Sequence, residues 1–127
     1  MIIDENEIAR IVVDKCFHIH KTLGPGLLES IYEEILLYEL VKDGLDCDHQ
    51  MWLPVIYDGH TFHGGFRADI IVNGKLIIEL KSVKSLLPVH KKQLLTYLKI
   101  TDMKLGLLIN FNVELMKQGI IRVVNNL

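Results

Sequence analysis

Three side chains in this sequence could act together: Asp69, Glu79 and Lys81. Asp69 precedes Ile70-Ile71-Val72. Glu79 and Lys81 end the run Leu76-Ile77-Ile78-Glu79-Leu80-Lys81. Charges therefore interrupt segments that are otherwise aliphatic, and a charge in such a place is costly unless something pairs with it. Two carboxylates offer the hard oxygen ligands that suit Mg2+ or Mn2+. A lysine beside them can orient or activate a water and offset charge developing on a phosphate. A plainer reading stands next to this one: Lys81 pairs with Glu79 or Asp69 on a half-exposed sheet, because such triplets also arise by chance.

The elements that carry these residues must bring them to one surface. The β-branched and aliphatic runs predict strands at Ile70–Val72 and Leu76–Leu80, with Asn73-Gly74 as a hairpin turn. Glu79 and Lys81 are two apart and share a face. Leu76, Ile78 and Leu80 point to the other face, into the core. A plain two-residue loop would set Val72 against Lys75 and Asp69 against Ile78, with Glu79 on the opposite face from Asp69. A shared site therefore requires an odd loop or a bulge. A three-residue loop, Val72-Asn73-Gly74, with Gly74 left-handed, supplies one.

The chain has 127 residues, which makes residues 1–127 one domain with room for a single core. Half of it is apolar, enough for a sizeable core or an oligomer interface. No apolar run approaches the length of a membrane span. The acidic start, Met1 to Glu7, lacks the basic and apolar regions of a signal peptide. Cys16 and Cys47 form no framework and no C-x-x-C pair, so a reducing cytoplasm is expected. A net charge of −2 argues against coating nucleic acid by charge alone. The charge is unevenly spread, however. Residues 1–50 hold four basic side chains against eleven acidic ones, whereas residues 75–104 hold seven lysines against two acids. That asymmetry suits a local phosphate-facing surface, and ordinary solvated lysines are its competitor.

Helical spacing of Ile8, Ile11, Val12, Cys16 and Ile19 predicts a helix over 5–22. His18 and His20 diverge on it and read as surface or boundary residues. After the break at Leu23-Gly24-Pro25-Gly26, a second helix runs from 27 to 43, with Gly44 at its end. Apolar nearly all round, it is expected to be mostly buried. Its Glu29 lies on a stripe with Tyr32, Leu36 and Leu40, either as a helix-start acid or aimed at a metal or a protonated partner. A strand follows over 46–57, placed by Pro54 at an edge or bulge. Asp58-Gly59 turns it into a return strand near Thr61-Phe62, where His60 and His63 face opposite ways and do not make a metal site alone. Pro88 opens a helix over 88–100 with Leu94, Leu95 and Leu98 as its apolar stripe, and His90, Gln93 and Tyr97 as a separate one. Residues 104–111 read as a buried strand and 120–124 as a last one.

Gly26-Leu27-Leu28-Glu29-Ser30-Ile31-Tyr32 spells G-x-x-E-x-x-Y. With Asp69, Glu79-Leu80-Lys81 and Gln93 to Tyr97 following in order, the chain resembles the GxxExxY protein family of the PD-(D/E)XK nuclease superfamily, from about residue 5 to residue 124. The resemblance implies an α/β (α+β), restriction-endonuclease-like fold with an αβββαβ core and a mixed central sheet flanked by helices. It implies that Asp69 and Glu79, with the carbonyl of Leu80, bind Mg2+ or Mn2+, and that Lys81 is the catalytic lysine. Glu29 matches the helical acid that completes the site or takes a second metal. Gln93 and Tyr97 match a Q-x-x-x-Y signature that positions the phosphate or Lys81. Ala68 stands where the superfamily's name has proline. The implied activity is metal-dependent phosphodiester hydrolysis in DNA, with RNA the less favoured substrate. The alternatives are a non-catalytic module that binds nucleic acid or a partner, and a structural domain with a Glu79–Lys81 salt bridge. The small size and the acidic first half suit action as a homo-oligomer or with a protein partner.

Overall fold

The computed structural model describes residues 2–127. Helices α1 (Glu5–Leu23) and α2 (Glu29–Lys42) lead into strands β1 (Cys47–Tyr57), β2 (His60–Val72) and β3 (Leu76–Lys81). Helix α3 (Pro88–Thr101), strand β4 (Leu105–Asn110), a 3-10 turn (Met116–Gly119) and strand β5 (Ile120–Val124) complete the chain. One five-stranded sheet runs in the order β1-β2-β3-β4-β5. Neighbours are antiparallel except β3 and β4, which are parallel and joined through α3. The sheet is therefore mixed and the αβββαβ order is present, as expected.

Side-chain alternation assigns each face of the sheet its helices. Leu76, Ile78 and Leu80 of β3 join Ile70 and Val72 of β2 against Ile8, Val12 and Cys16 of α1 and Tyr32, Leu36 and Leu40 of α2. Ile71, Ile77 and Leu108 point the other way, against Leu94 and Leu98 of α3. Fully burying one such aliphatic chain contributes about 1.5–3 kcal/mol relative to leaving it exposed. A one-residue slip of β3 would exchange its two faces, so packing on both sides fixes its register. β4 is buried at every position, as its unbroken apolar run predicts.

Three expectations need correction. Helix α2 is not buried all round: Tyr32, Glu33, Leu36 and Leu40 face inward, while Tyr38 is 63% and Val41 54% exposed. Only α1 and the sheet cover it, so its outer side meets solvent. Next, the return strand and the strand at Ile70–Val72 are one element, β2. Gly64-Gly65 does not break it. The pairing shifts register between Leu53 and Val55, at Pro54, and a Cβ on Gly65 would lie 2.3 Å from Val55 Cγ2. The glycine permits that close approach at the bulge. Finally, His20 is buried, with Nε2 2.7 Å from the Val113 carbonyl oxygen, whereas His18 is exposed as expected. On the far side of Phe66 from the core, β1 and β2 extend as an arm whose residues are almost all exposed. No helix among the described residues is long and apolar enough to cross a membrane.

Candidate active site

The turn after β2 has both Asn73 (φ 52) and Gly74 (φ 64) left-handed, and the Lys75 N–H donates to the Val72 carbonyl at 2.9 Å. Pairing resumes one residue later than a two-residue loop allows, with Val72 opposite Leu76 and Ile70 opposite Ile78. The loop is odd, as a shared site requires, but its residues are Asn73-Gly74-Lys75 and not Val72-Asn73-Gly74. The next step of this register sets Asp69 opposite Glu79.

At that step the ladder stops and side chains replace it. The Leu80 N–H donates to Asp69 Oδ2 at 2.8 Å, and the Asp69 N–H donates to Glu79 Oε1 at 3.3 Å. The two strands thus fork at a pair of carboxylates, each holding the other strand's backbone. Lys81 follows on β3, half-buried. Asn110, opposite it on β4, holds the outgoing chain: its Nδ2 donates to the Val83 carbonyl at 2.9 Å and its Oδ1 accepts from the Val83 N–H at 3.1 Å. Among the described residues Lys81 forms no salt bridge with Glu79 or Asp69. Its charge still acts on the acids, opposing the rise of the Glu79 and Glu29 carboxyls.

Helix α2 brings Glu29 to the fork. The buried Tyr32 explains how. Its hydroxyl donates to the Gly24 carbonyl at 2.6 Å and accepts from the Leu27 N–H at 3.1 Å, and its ring stacks on Phe111 at 4.5 Å. Tyr32 thereby ties down the loop before α2, where Gly26 needs φ 105. The Ser82 hydroxyl, next to Lys81, donates to the Leu27 carbonyl at 3.0 Å. In G-x-x-E-x-x-Y the glycine and the tyrosine thus fix the helix start that carries the glutamate. Burial and the nearby Asp69 raise the Glu29 carboxyl above its ordinary range, with Lys81 opposing them.

Helix α3 contributes Tyr97, whose ring stacks on Phe66 at 4.2 Å. Burial and the carboxylates of Glu79 and Asp69 push its phenol upward, so it keeps its proton. Gln93, one turn earlier, is exposed and makes no hydrogen bond to the fork among the described residues. His90 serves locally, its Nδ1 accepting from the Leu87 N–H at 3.0 Å where α3 begins.

Glu33 and Gln50 escape the sequence reading. Glu33 is 6% exposed, one turn after Glu29 on the same helix. Its carboxylate accepts from Gln50 Nε2 at 2.6 and 2.7 Å and lies 2.6 Å from His49 Nε2. Gln50 Nε2 also lies 3.3 Å from Asp69 Oδ1. The four-residue spacing from Glu29, which sets Glu33 on the same helix face, was a usable signal for Glu33. Nothing in the sequence marks Gln50.

The electrostatics decide what the fork can hold. Glu79 is buried beside Asp69, and burial followed by that neighbour's charge pushes its carboxyl up to about 8. Glu29, Glu33, Asp69 and Glu79 crowd one region, and the Lys81 charge opposes the rise at Glu29 and at Glu79. A divalent cation would relieve that excess. Among the described residues no group of three His, Cys, Asp or Glu side chains is placed to hold a metal ion by itself. Two carboxylates and a backbone carbonyl suit Mg2+ or Mn2+, which keep several waters when bound. The buried, unpartnered Gln50 Oε1 is a spare acceptor for such a water.

A solved structure titled "Crystal structure of SSO0001" shares this fold, with a TM-score of 0.59 at 20% identity. The likeness covers 97% of this chain and 60% of that one, so the chain spans well under two thirds of its length. No match was found among the curated proteins. The family model described as the PD-(D/E)XK nuclease superfamily matches residues 6–123, from the start of α1 into β5 with the whole fork inside. The chain belongs to the PD-(D/E)XK nuclease superfamily.

Proposed function

We propose that this chain is a Mg2+- or Mn2+-dependent nuclease that hydrolyses phosphodiester bonds in DNA, with RNA the second substrate to test. The observation that carries the reading is the fork itself: Asp69 and Glu79 meet where the β2–β3 ladder ends, with Lys81, Glu29 and Tyr97 around them. Asp69, Glu79 and the Leu80 carbonyl hold the cation. A cation held there would supply Lewis-acid chemistry toward the scissile phosphate and a water of lowered pKa. Lys81 holds the attacking water or offsets charge developing on the phosphate. Glu29 orients water from the opposite side, and Tyr97 donates a hydrogen bond from a phenol that stays protonated. Gln93, on the exposed side of α3, contacts the substrate backbone.

The ordered G-x-x-E-x-x-Y motif supports placing the chain in the GxxExxY group. The unpaired Cys16 and Cys47 suit a reducing cytoplasm. The exposed Leu28, Tyr38 and Val41 of the α2 region suit a second copy or a protein partner. The test is cleavage of plasmid and single-stranded DNA with Mg2+ or Mn2+. Asp69→Asn and Lys81→Ala should each lower the rate by about 100-fold or more, with far-UV circular dichroism unchanged. Cleavage surviving in both variants would refute the assignment.

A further inference from the structure

β1 pairs with β2 at His49 opposite Ile70 and again at Met51 opposite Ala68. Between these pairs Gln50 takes a φ of 53. The other described non-glycine residues with positive φ are Asp58, Asn73, Asp102 and Asn126. All are Asn or Asp, which tolerate this region, and all lie outside the strands. Gln50 alone adopts it inside a strand, beside the fork. Strain of this kind persists where surrounding contacts enforce it.

Those contacts are specific. The Gln50 amide nitrogen lies 2.7 and 2.6 Å from the two oxygens of Glu33 and 3.3 Å from Asp69 Oδ1. Facing two carboxylates, this end of the amide must be the NH2 group. Glu33 is itself buried and is partnered by His49, not by a lysine or arginine. Asp69 Oδ2 accepts from the Leu80 N–H. Each oxygen of Asp69 therefore has its own directed donor, one from the β3 backbone and one from β1 through Gln50.

We infer that Gln50 is a positioning residue for Asp69: anchored on Glu33 and His49, its amide fixes the Asp69 carboxylate in the orientation that receives the cation. The inference rests on the reading of Asp69 as a cation ligand. It accounts together for the left-handed backbone, the buried Glu33 and the Gln50 Oε1 left without a partner. Without the amide, the Asp69 carboxylate turns about its Cβ–Cγ bond, and that freedom must be lost on binding.

The experiment is calorimetric titration of Mn2+ into the full chain and three variants, with a thermal melt of each metal-free protein. Gln50→Gly accepts the left-handed backbone without an amide. Gln50→Asn tolerates that backbone and keeps an amide one methylene too short to span both carboxylates. Asp69→Asn should lose Mn2+ binding. Both Gln50 variants should melt cooperatively yet bind Mn2+ about tenfold more weakly, as loss of a ligand's hydrogen-bond partner typically does. Wild-type affinity in either Gln50 variant, with Asp69→Asn still defective, would overturn this inference alone. Unchanged binding in Asp69→Asn would overturn the reading beneath it and this inference together.

Discussion

The molecule contains two hairpin turns with nearly the same local structure and opposite consequences. At the arm's tip Asp58 and Gly59 are both left-handed, with φ of 54 and 74, and Tyr57 pairs directly with His60. At the other end of β2, Asn73 and Gly74 are left-handed in the same way, yet Lys75 is passed over before Leu76 meets Val72. The dipeptide does not decide the parity of the next strand. Its surroundings do. Asn73 is pinned by the start of β1, its N–H on the Asp46 carbonyl and its Oδ1 on the Asp46 N–H. Lys75 reaches the Ile3 carbonyl with Nζ at 2.7 Å, and Leu76 is already buried against α1 and α2. The tip has no such core to satisfy. With that one residue passed over, Asp69 stands opposite Glu79.

The strongest way to break this comparison is to make the second turn like the first. Deleting Lys75 leaves Asn73-Gly74 as a two-residue loop that closes on the same Val72–Leu76 pair, so the packing of β3 should hold Asp69 opposite Glu79. A slip turns Leu76, Ile78 and Leu80 out of their layer, a loss of about 5–9 kcal/mol and comparable with a whole domain's stability. The deletion variant should therefore keep cooperative urea unfolding and Mn2+ binding, losing only the Lys75 contact to the Ile3 carbonyl. One glycine inserted after Gly59 should cost less than about 1 kcal/mol. A deletion variant that loses both cooperative unfolding and Mn2+ binding would show that Lys75 itself, and not the packing of β3, holds the register.

A smaller effect reports the same juxtaposition through pH. Glu79, raised to about 8 by burial and by Asp69, keeps its proton in the folded chain after the unfolded chain has released it near the ordinary 4.5. Folding takes up a proton in that window, so Glu79 makes stability fall as pH rises from about 4.5 to 8, by at most about 1.4 kcal/mol per unit. Below the window this penalty is absent. Metal-free Glu79→Gln should show a flatter stability profile in urea titrations across these pH values, and equal slopes would separate Glu79 from Asp69. Because a ligand carboxyl must be ionised, Mn2+ should bind more tightly as pH rises toward 8 and should release protons.

The smallest effect compares the turns directly. An added Cβ meets nothing within 4 Å at Gly59 or Gly74, so only the left-handed backbone resists substitution. Gly59→Ala and Gly74→Ala should each cost about 1–2 kcal/mol by denaturant midpoint. A much larger cost at Gly74 would show that the two turns differ in their own backbone and not merely in the strands they join.

The elements themselves were legible, because periodicity and Gly or Pro punctuation mark α1, α3, β3, β4 and both turns. The requirement for an odd loop came from strand geometry alone, although which residues formed it did not. Other errors share a physical cause. Exposure of Tyr38 and Val41 depends on how many neighbours α2 has, and composition carries no such count. The return strand and Ile70–Val72 read as separate strands, but they are one, and Gly65 within it serves a close approach to Val55 that only the pairing reveals. In the candidate site, Glu29, Asp69, Glu79 and Lys81 stood out as charges among apolar residues, and Tyr97 through a motif. Glu33 owes its place to a helix contact and Gln50 to a left-handed backbone inside β1, which no local pattern announces.

The first helix is bound by residues made much later. Arg122 of β5 donates to Asn6, His20 meets Val113, and Lys75 meets the chain just before α1. During translation α1 therefore leaves the ribosome with Ile8, Val12 and Cys16 uncovered, and β4, which helps bury them, emerges only after some eighty residues. Contacts of such long sequence separation must await chain closure before they stabilise anything. The last step of folding thus falls after most of these residues have been synthesised, because α1 is covered by β4 and tied to β5.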